Sequence, residues 1–223
     1  MYAAALFDLD GTLIDTEPRS REAWTRLFRN NGVPYDEATI RSFAGRPGRE
    51  ALRDHVHGFP GRTVDDLFAE ALHYTTLPDM PAVATVPGAL ELVARLRASG
   101  VPVGLVTSGT KEYASGELGA LGALSLFDVM VTADDVTRGK PDPEGYLAGC
   151  AALGVEPSAT VVFEDAPAGV AAAKAAGARC VAIAAGHDAA ALGAADLVVA
   201  DLTGIAWPPQ FGPVAGAVAG SEG

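Results

Sequence analysis

The sequence predicts an α/β fold, a mostly parallel β-sheet layered between helices, with an all-helical block inserted after the first strand. Three observations carry this reading. Short apolar runs recur at 3–7, 102–106, 129–131, 160–163, 180–184 and 197–199. They are continuous rather than alternating, as expected of strands covered on both faces. From residue 85 on, helical stretches separate them, and strand–helix–strand repetition implies right-handed crossovers and parallel pairing. Residues 16–84, by contrast, carry helix signals and no strand.

Taken in order, the first run ends in Phe7-Asp-Leu-Asp-Gly-Thr-Leu-Ile-Asp15, where Asp10-Gly11 marks a turn. In the insert, Trp24, Leu27 and Phe28 share one helical face, and Val64, Leu67, Phe68, Ala71 and Leu72 mark another. The Pro-rich exits at 15–18 and 78–87 read as hinges. Asp15 sits at the first of them and receives no chemical role. A helix over 88–99 follows Pro87 and stops at Gly100. Another takes Asp142 as N-cap, Pro143 at its first position and Gly154 past its end. A third runs from Pro167 to Gly177. The predicted division is a core of 1–15 and 85–205, an insert of 16–84, and a poorly ordered tail of 206–223, since from Pro208 on there is little to bury.

Of the 223 residues, 28 are acidic and 16 basic, giving a net charge of −12. That excludes a general binder of nucleic acid or anionic membrane, both of which need a basic face. Cys150 and Cys180 lie in Ala-rich apolar surroundings and read as buried thiols in a reducing compartment. His55, His57, His73 and His187 are scattered away from them, so no zinc spacing is present; the first three are assigned to insert helices and His187 to a loop. With no basic-then-apolar leader and no apolar run of membrane-spanning length, the expectation is a cytoplasmic protein, monomer or weak homodimer, whose partner is a small molecule.

In an open parallel sheet, ligands bind beyond the carboxyl ends of the strands. Asp8 and Asp10 follow the first run; Thr107, Ser108 and Gly109 follow the second; Lys140 precedes the helix after the third; Glu164 and Asp165 follow the fourth. Singly, each has an ordinary structural reading as a turn, an N-cap or a dipole-complementing charge. Together they bring four carboxylates to one rim, and like charges at a shared site cannot all stay ionised. A hard divalent cation such as Mg²⁺ resolves the conflict, because it takes oxygen ligands and a phosphate. Lys140 and the hydroxyls of Thr107 and Ser108 complete an anion site. Asp8 and Asp10, two apart on an extended chain, can approach one substrate together. One carboxylate can attack phosphorus while the other carries a proton.

Asp8-Leu-Asp10-Gly-Thr-Leu, Val106-Thr-Ser-Gly109, Gly139-Lys-Pro-Asp-Pro143 and Phe163-Glu-Asp-Ala-Pro-Ala-Gly169 resemble, in order, the four motifs of the haloacid dehalogenase-like (HAD) hydrolases. The resemblance spans residues 3 to about 200. It implies a Rossmann-like core with a helical cap, matching the insert at 16–84. It further implies Asp8 as nucleophile, Asp10 as general acid/base, and Thr107 on the phosphoryl oxygens, with Gly109 admitting the backbone close to them. Lys140 would bridge nucleophile and phosphoryl group. Mg²⁺ would be held by Asp8, the Asp10 carbonyl and Asp165, with Glu164 in or beside that shell. The strings at 106–109 and 163–169 look most like sugar- and polyol-phosphate phosphatases. Asp10 argues against dehalogenation, which lacks a second motif aspartate.

A phosphosugar mutase of the β-phosphoglucomutase branch is the alternative. Ser20 stands where that branch carries a hinge histidine, and Gly45-Arg46-Pro47-Gly48-Arg49 replaces its Gly-x-Ser-Arg cap loop. Arg46 and Arg49 are candidate substrate contacts from the cap. A phospho-accepting signalling module is a third reading, opposed by the Asp-x-Asp spacing and by a cap superfluous to a bare switch.

Overall fold

The computed structural model describes residues 2–44, 46, 48–184 and 189–211. In chain order the elements are β1 (Ala4–Phe7), β2 (Ile14–Asp15), α1 (Glu17–Asn30), α2 (Glu37–Arg41), α3 (Gly48–His55), α4 (Val64–Thr75), β3 (Ala84–Thr85) and α5 (Ala89–Ala98). These are followed by β4 (Val103–Val106), α6 (Lys111–Ala120), β5 (Val129–Val131), α7 (Glu144–Leu153), β6 (Thr160–Glu164), α8 (Pro167–Ala175), β7 (Arg179–Ile183) and β8 (Leu197–Val199). Six strands form one parallel sheet in the order β5-β4-β1-β6-β7-β8. β1 is central, pairing Ala5 with Val103 on one side and with Val161 on the other.

Side-chain alternation along these strands divides the core in two. Ala5, Phe7, Val161, Phe163, Val181 and Ile183 face α5 and α6. Leu6, Val162, Cys180 and Ala182 face α7 and α8. Both faces being covered is why the runs are apolar throughout. Phe7 and Phe163 stack across the sheet with ring centres 4.5 Å apart, and each such buried ring is worth about 1.5–3 kcal/mol.

α1 to α4 enclose a third cluster around Trp24, Leu27, Phe28, Phe43, Leu52 and Leu67. α2 and α4 start on local caps: Asp36 accepts from the Thr39 N–H, and Thr63 from the Asp66 N–H, each with a reciprocal bond. Leu72, placed by periodicity on the buried face of α4, is 57% exposed. It lies one step, about 100°, beyond Ala71, and α1 and α3 cover only the stripe through Leu67 and Ala71. The exits of this block are joined by an antiparallel ribbon, Ile14 opposite Thr85 and Asp15 opposite Ala84.

Other expectations shift by small amounts. Pro143 rather than Asp142 occupies the N-cap of α7, yet the Asp142 Oδ1 still accepts from the Glu144 N–H at 3.0 Å. Glu164 is the last residue of β6 instead of the first residue after it. Of the expected tail, Trp207 and Phe211 pack on the core, Phe211 edge-on to Tyr2 at 5.5 Å. Residues 212–223 and His187 lie outside the described residues. No helix among the described residues is long and apolar enough to cross a membrane.

Candidate active site

The strand ends converge as the topology requires. Asp8 continues β1, its N–H donating to the Phe163 carbonyl, and is 7% exposed. The chain then turns at Gly11, whose φ of +81° belongs to the region that favours glycine. A Cβ there would stand 1.9 Å from Asp165 Oδ2, so Gly11 also makes the room that Asp165 fills.

Lys140 reaches into this cluster and spends all three ammonium donors. Its Nζ donates to Asp8 Oδ1 at 2.5 Å, to Glu164 Oε1 at 2.5 Å and to the Val106 carbonyl at 3.1 Å. Glu164, buried, accepts four bonds: Lys140 and the Tyr146 hydroxyl (2.7 Å) on Oε1, the N–H groups of Asp165 (3.0 Å) and Ala166 (3.1 Å) on Oε2. That is the full capacity of a carboxylate. Asp10 Oδ1 accepts from the Tyr113 hydroxyl at 2.5 Å.

Electrostatically the site is short of positive charge. Asp8, Asp10, Glu164 and Asp165 face one ammonium. Burial, with Glu164 and Asp10 adding to it, pushes Asp8 up to about 7 despite Lys140. Burial, then Asp8 and Glu164, pushes Asp165 up to about 9. Asp10 is raised by burial, with Tyr113 opposing. Burial works against the Lys140 charge, but the two carboxylates outweigh it and hold the ammonium above the usual lysine range. Carboxylate oxygens of Asp8, Glu164 and Asp165 lie within 4.8 Å of one another. An all-oxygen donor set with excess negative charge fits a hard divalent cation.

Beside Lys140 lies a pocket of ≈ 180 Å³, lined by Thr107, Ser108, Arg138 and Tyr146 over Val106 and Val131. Thr107 is buried, and its Oγ1 accepts from the Gly109 N–H at 3.0 Å. Gly109 has a neighbour that its sequence context does not announce: a Cβ there would meet Tyr113 Cδ1 at 2.6 Å. The cap arginines are engaged within the insert. Arg46 pairs with Asp54 at 2.9 Å and Glu50 at 3.6 Å; Arg49 pairs with Asp65 at 2.9 Å and lies over the Phe68 ring. The structure thus gathers Asp8, Asp10, Thr107, Ser108, Gly109, Lys140, Glu164 and Asp165 at one strand-end rim, and gives Arg46 and Arg49 partners of their own. Sequence reasoning missed Tyr113 and Tyr146. Each lies in the first turn of a helix that follows a motif, which is the signal that could have found them.

A family model of haloacid dehalogenase-like hydrolases matches residues 2–177. Validoxylamine A 7'-phosphate phosphatase of Streptomyces hygroscopicus subsp. limoneus is 59% identical over 213 residues, covering 96% of this chain and all of that protein. Hexitol phosphatase A of Escherichia coli is 37% identical, over 88% of this chain and 90% of its own length. Among solved structures, β-phosphoglucomutase from Clostridium difficile superposes with a TM-score of 0.70 at 25% identity, covering 93% of this chain and 94% of its own. From its motifs, its fold and these matches, the chain belongs to the haloacid dehalogenase-like hydrolase family.

Proposed function

We propose that this phosphoric monoester hydrolase acts on a small sugar or polyol phosphate, with Mg²⁺, through a phospho-Asp8 intermediate. The observation that carries the reading is the buried Asp8–Lys140–Glu164 arrangement beside Asp10 and Asp165. Lys140 occupies Asp8 Oδ1, which leaves Oδ2 to attack phosphorus. The ester P–O bond breaks as the Asp8 O–P bond forms, and Asp10 gives its proton to the leaving oxygen. Asp10 then takes a proton from water, whose oxygen displaces Asp8 and releases inorganic phosphate. Thr107 and Ser108 hold the phosphoryl oxygens, while the Lys140 ammonium, bonded to the nucleophile Asp8, balances their charge. Asp8, Asp165 and the Asp10 carbonyl would hold the cation, which supplies charge neutralisation at the phosphoryl group. Glu164, with both oxygens already taken, serves to fix Lys140 and the 164–166 backbone.

The phosphatase relatives favour hydrolysis, and validoxylamine A 7'-phosphate heads the substrates to try. The likeness to a β-phosphoglucomutase keeps the mutase as a second reading, opposed by Ser20 at the hinge. Buried free thiols at Cys150 and Cys180 support a reducing, cytoplasmic setting. The test is phosphate release from sugar phosphates, hexitol phosphates and validoxylamine A 7'-phosphate by wild type and Asp8→Asn, with and without Mg²⁺. Undiminished release by the variant refutes the mechanism. Conversion of β-glucose 1-phosphate to glucose 6-phosphate, without free glucose, replaces hydrolysis by mutase chemistry.

A further inference from the structure

We infer that Tyr113 is the positioning residue of the general acid/base, fixing which oxygen of Asp10 meets the substrate. The inference rests on the reading of Asp10 given above. Three contacts determine where Tyr113 stands. Its backbone N–H donates to Thr110 Oγ1, the N-cap of α6, at 3.3 Å. Its ring lies against the Cα of Gly109, where no Cβ could fit. Its hydroxyl donates to Asp10 Oδ1 at 2.5 Å. One turn along the same helix, Glu117 pairs with Arg19 of α1, whose Nε also donates to the Pro81 carbonyl, so α6 is tied to the insert as well as to the core.

The consequence for Asp10 is geometric. Tyr113 takes up Oδ1, with the Thr16 side chain a second partner of the carboxyl, so the acid proton is directed to Oδ2 and rotation of the carboxyl loses the short tyrosine bond. General acid catalysis depends on holding the proton within hydrogen-bond reach of the leaving oxygen. Gly109 acquires a second reason for being glycine: it seats the ring that orients the acid, in addition to opening the backbone to phosphate.

The test separates leaving groups. An alkyl phosphate such as a hexitol phosphate needs its departing oxygen protonated, whereas p-nitrophenolate leaves without help. Tyr113→Phe keeps the ring on Gly109 and deletes only the hydroxyl. The expected result is a loss of about five- to tenfold in kcat/KM on the hexitol phosphate, the scale of one hydrogen bond, with kcat/KM on p-nitrophenyl phosphate, which ends at phosphoenzyme formation, essentially unaffected. Tyr113→Leu, which also empties the ring seat, is expected to lower both. An equal loss on both substrates in Tyr113→Phe, or no loss on either, overturns the positioning role and leaves the tyrosine a packing residue. Asp10→Asn is the control. If it shows no leaving-group dependence, the acid/base reading itself fails and the inference falls with it. If it does and Tyr113→Phe does not, only the inference falls. Thermal midpoints of the three variants report whether each has folded.

Discussion

Replacing Lys140 by methionine keeps much of the side-chain volume and removes the one ammonium among four carboxylates. The wild-type Nζ is buried and makes three bonds, two of them to the carboxylates of Asp8 and Glu164. Breaking a buried pair from one side leaves an uncompensated charge and costs about 3–5 kcal/mol. For a chain of this size each kcal/mol moves the thermal midpoint by about 2–4 °C, so Lys140→Met is expected to melt roughly 6–20 °C lower in Mg²⁺-free buffer. The pH dependence has a definite sign. The folded pKa of Asp8, about 7, stands above its unfolded value of 3.8, so the folded state holds the extra proton between them. Stability from this group therefore falls as pH rises through that window. Without Lys140 the folded pKa moves higher still, and the deficit relative to wild type is expected to be larger at pH 8 than at pH 6. Melting by circular dichroism at the two values measures it; phosphate release should drop by about 10²–10³, as for loss of a preorganised charge. A variant that melts with the wild type at pH 8, or keeps most of its activity, refutes the assignment of Lys140 as the electrostatic keystone.

In the proposed site, Mg²⁺ would compete with protons for Asp8 and Asp165, whose folded pKa values are about 7 and 9. Apparent Mg²⁺ affinity by calorimetry should rise from pH 6 to pH 9 with proton release; a flat profile argues against these ligands. Gly11→Ala meets both a positive φ, costing about 1–2 kcal/mol, and Asp165 Oδ2 at 1.9 Å. It should weaken Mg²⁺ binding more than it lowers the melting temperature, and intact Mg²⁺ affinity would show that Asp165 is not held there. Arg46 and Arg49 must exchange cap carboxylates for substrate in order to bind it. Alanine at each is expected to raise KM with kcat retained, and an unchanged KM assigns them to surface ion pairs alone.

The sheet was legible because helices cover both its faces, burying β1, β4 and β6 throughout, so its strands stand out as unbroken apolar runs bounded by polar motifs. α6 was not, since Gly116 and Gly119 dilute its helical signal, and with α6 went Tyr113. The β2–β3 ribbon escaped because two residues per strand carry no periodicity. At the site, the order of the motifs along the chain sufficed to place seven polar residues and Gly109 at one rim, since a parallel sheet puts every strand end on the same edge. What periodicity and motifs do not encode is which oxygen meets which donor. That Glu164 is filled by Lys140, Tyr146 and two backbone N–H groups depends on side-chain packing across three elements. Leu72 fails for a related reason: amphipathic spacing gives a stripe, and neighbours decide its width.

The ribbon between β2 and β3 has an architectural consequence. Ile14 and Thr85 are bonded neighbours, so the core sees everything between them as the loop of a hairpin. Closing a longer loop costs little, about 0.6 kcal/mol per doubling of length. The helices in that loop bury their own apolar cluster and draw little on the sheet. A block of different length or sequence could therefore be grafted between these two anchor points with Asp8 and Lys140 left in register. The inserted block can then change by exchange of a module, while the strand-end site changes by point substitution.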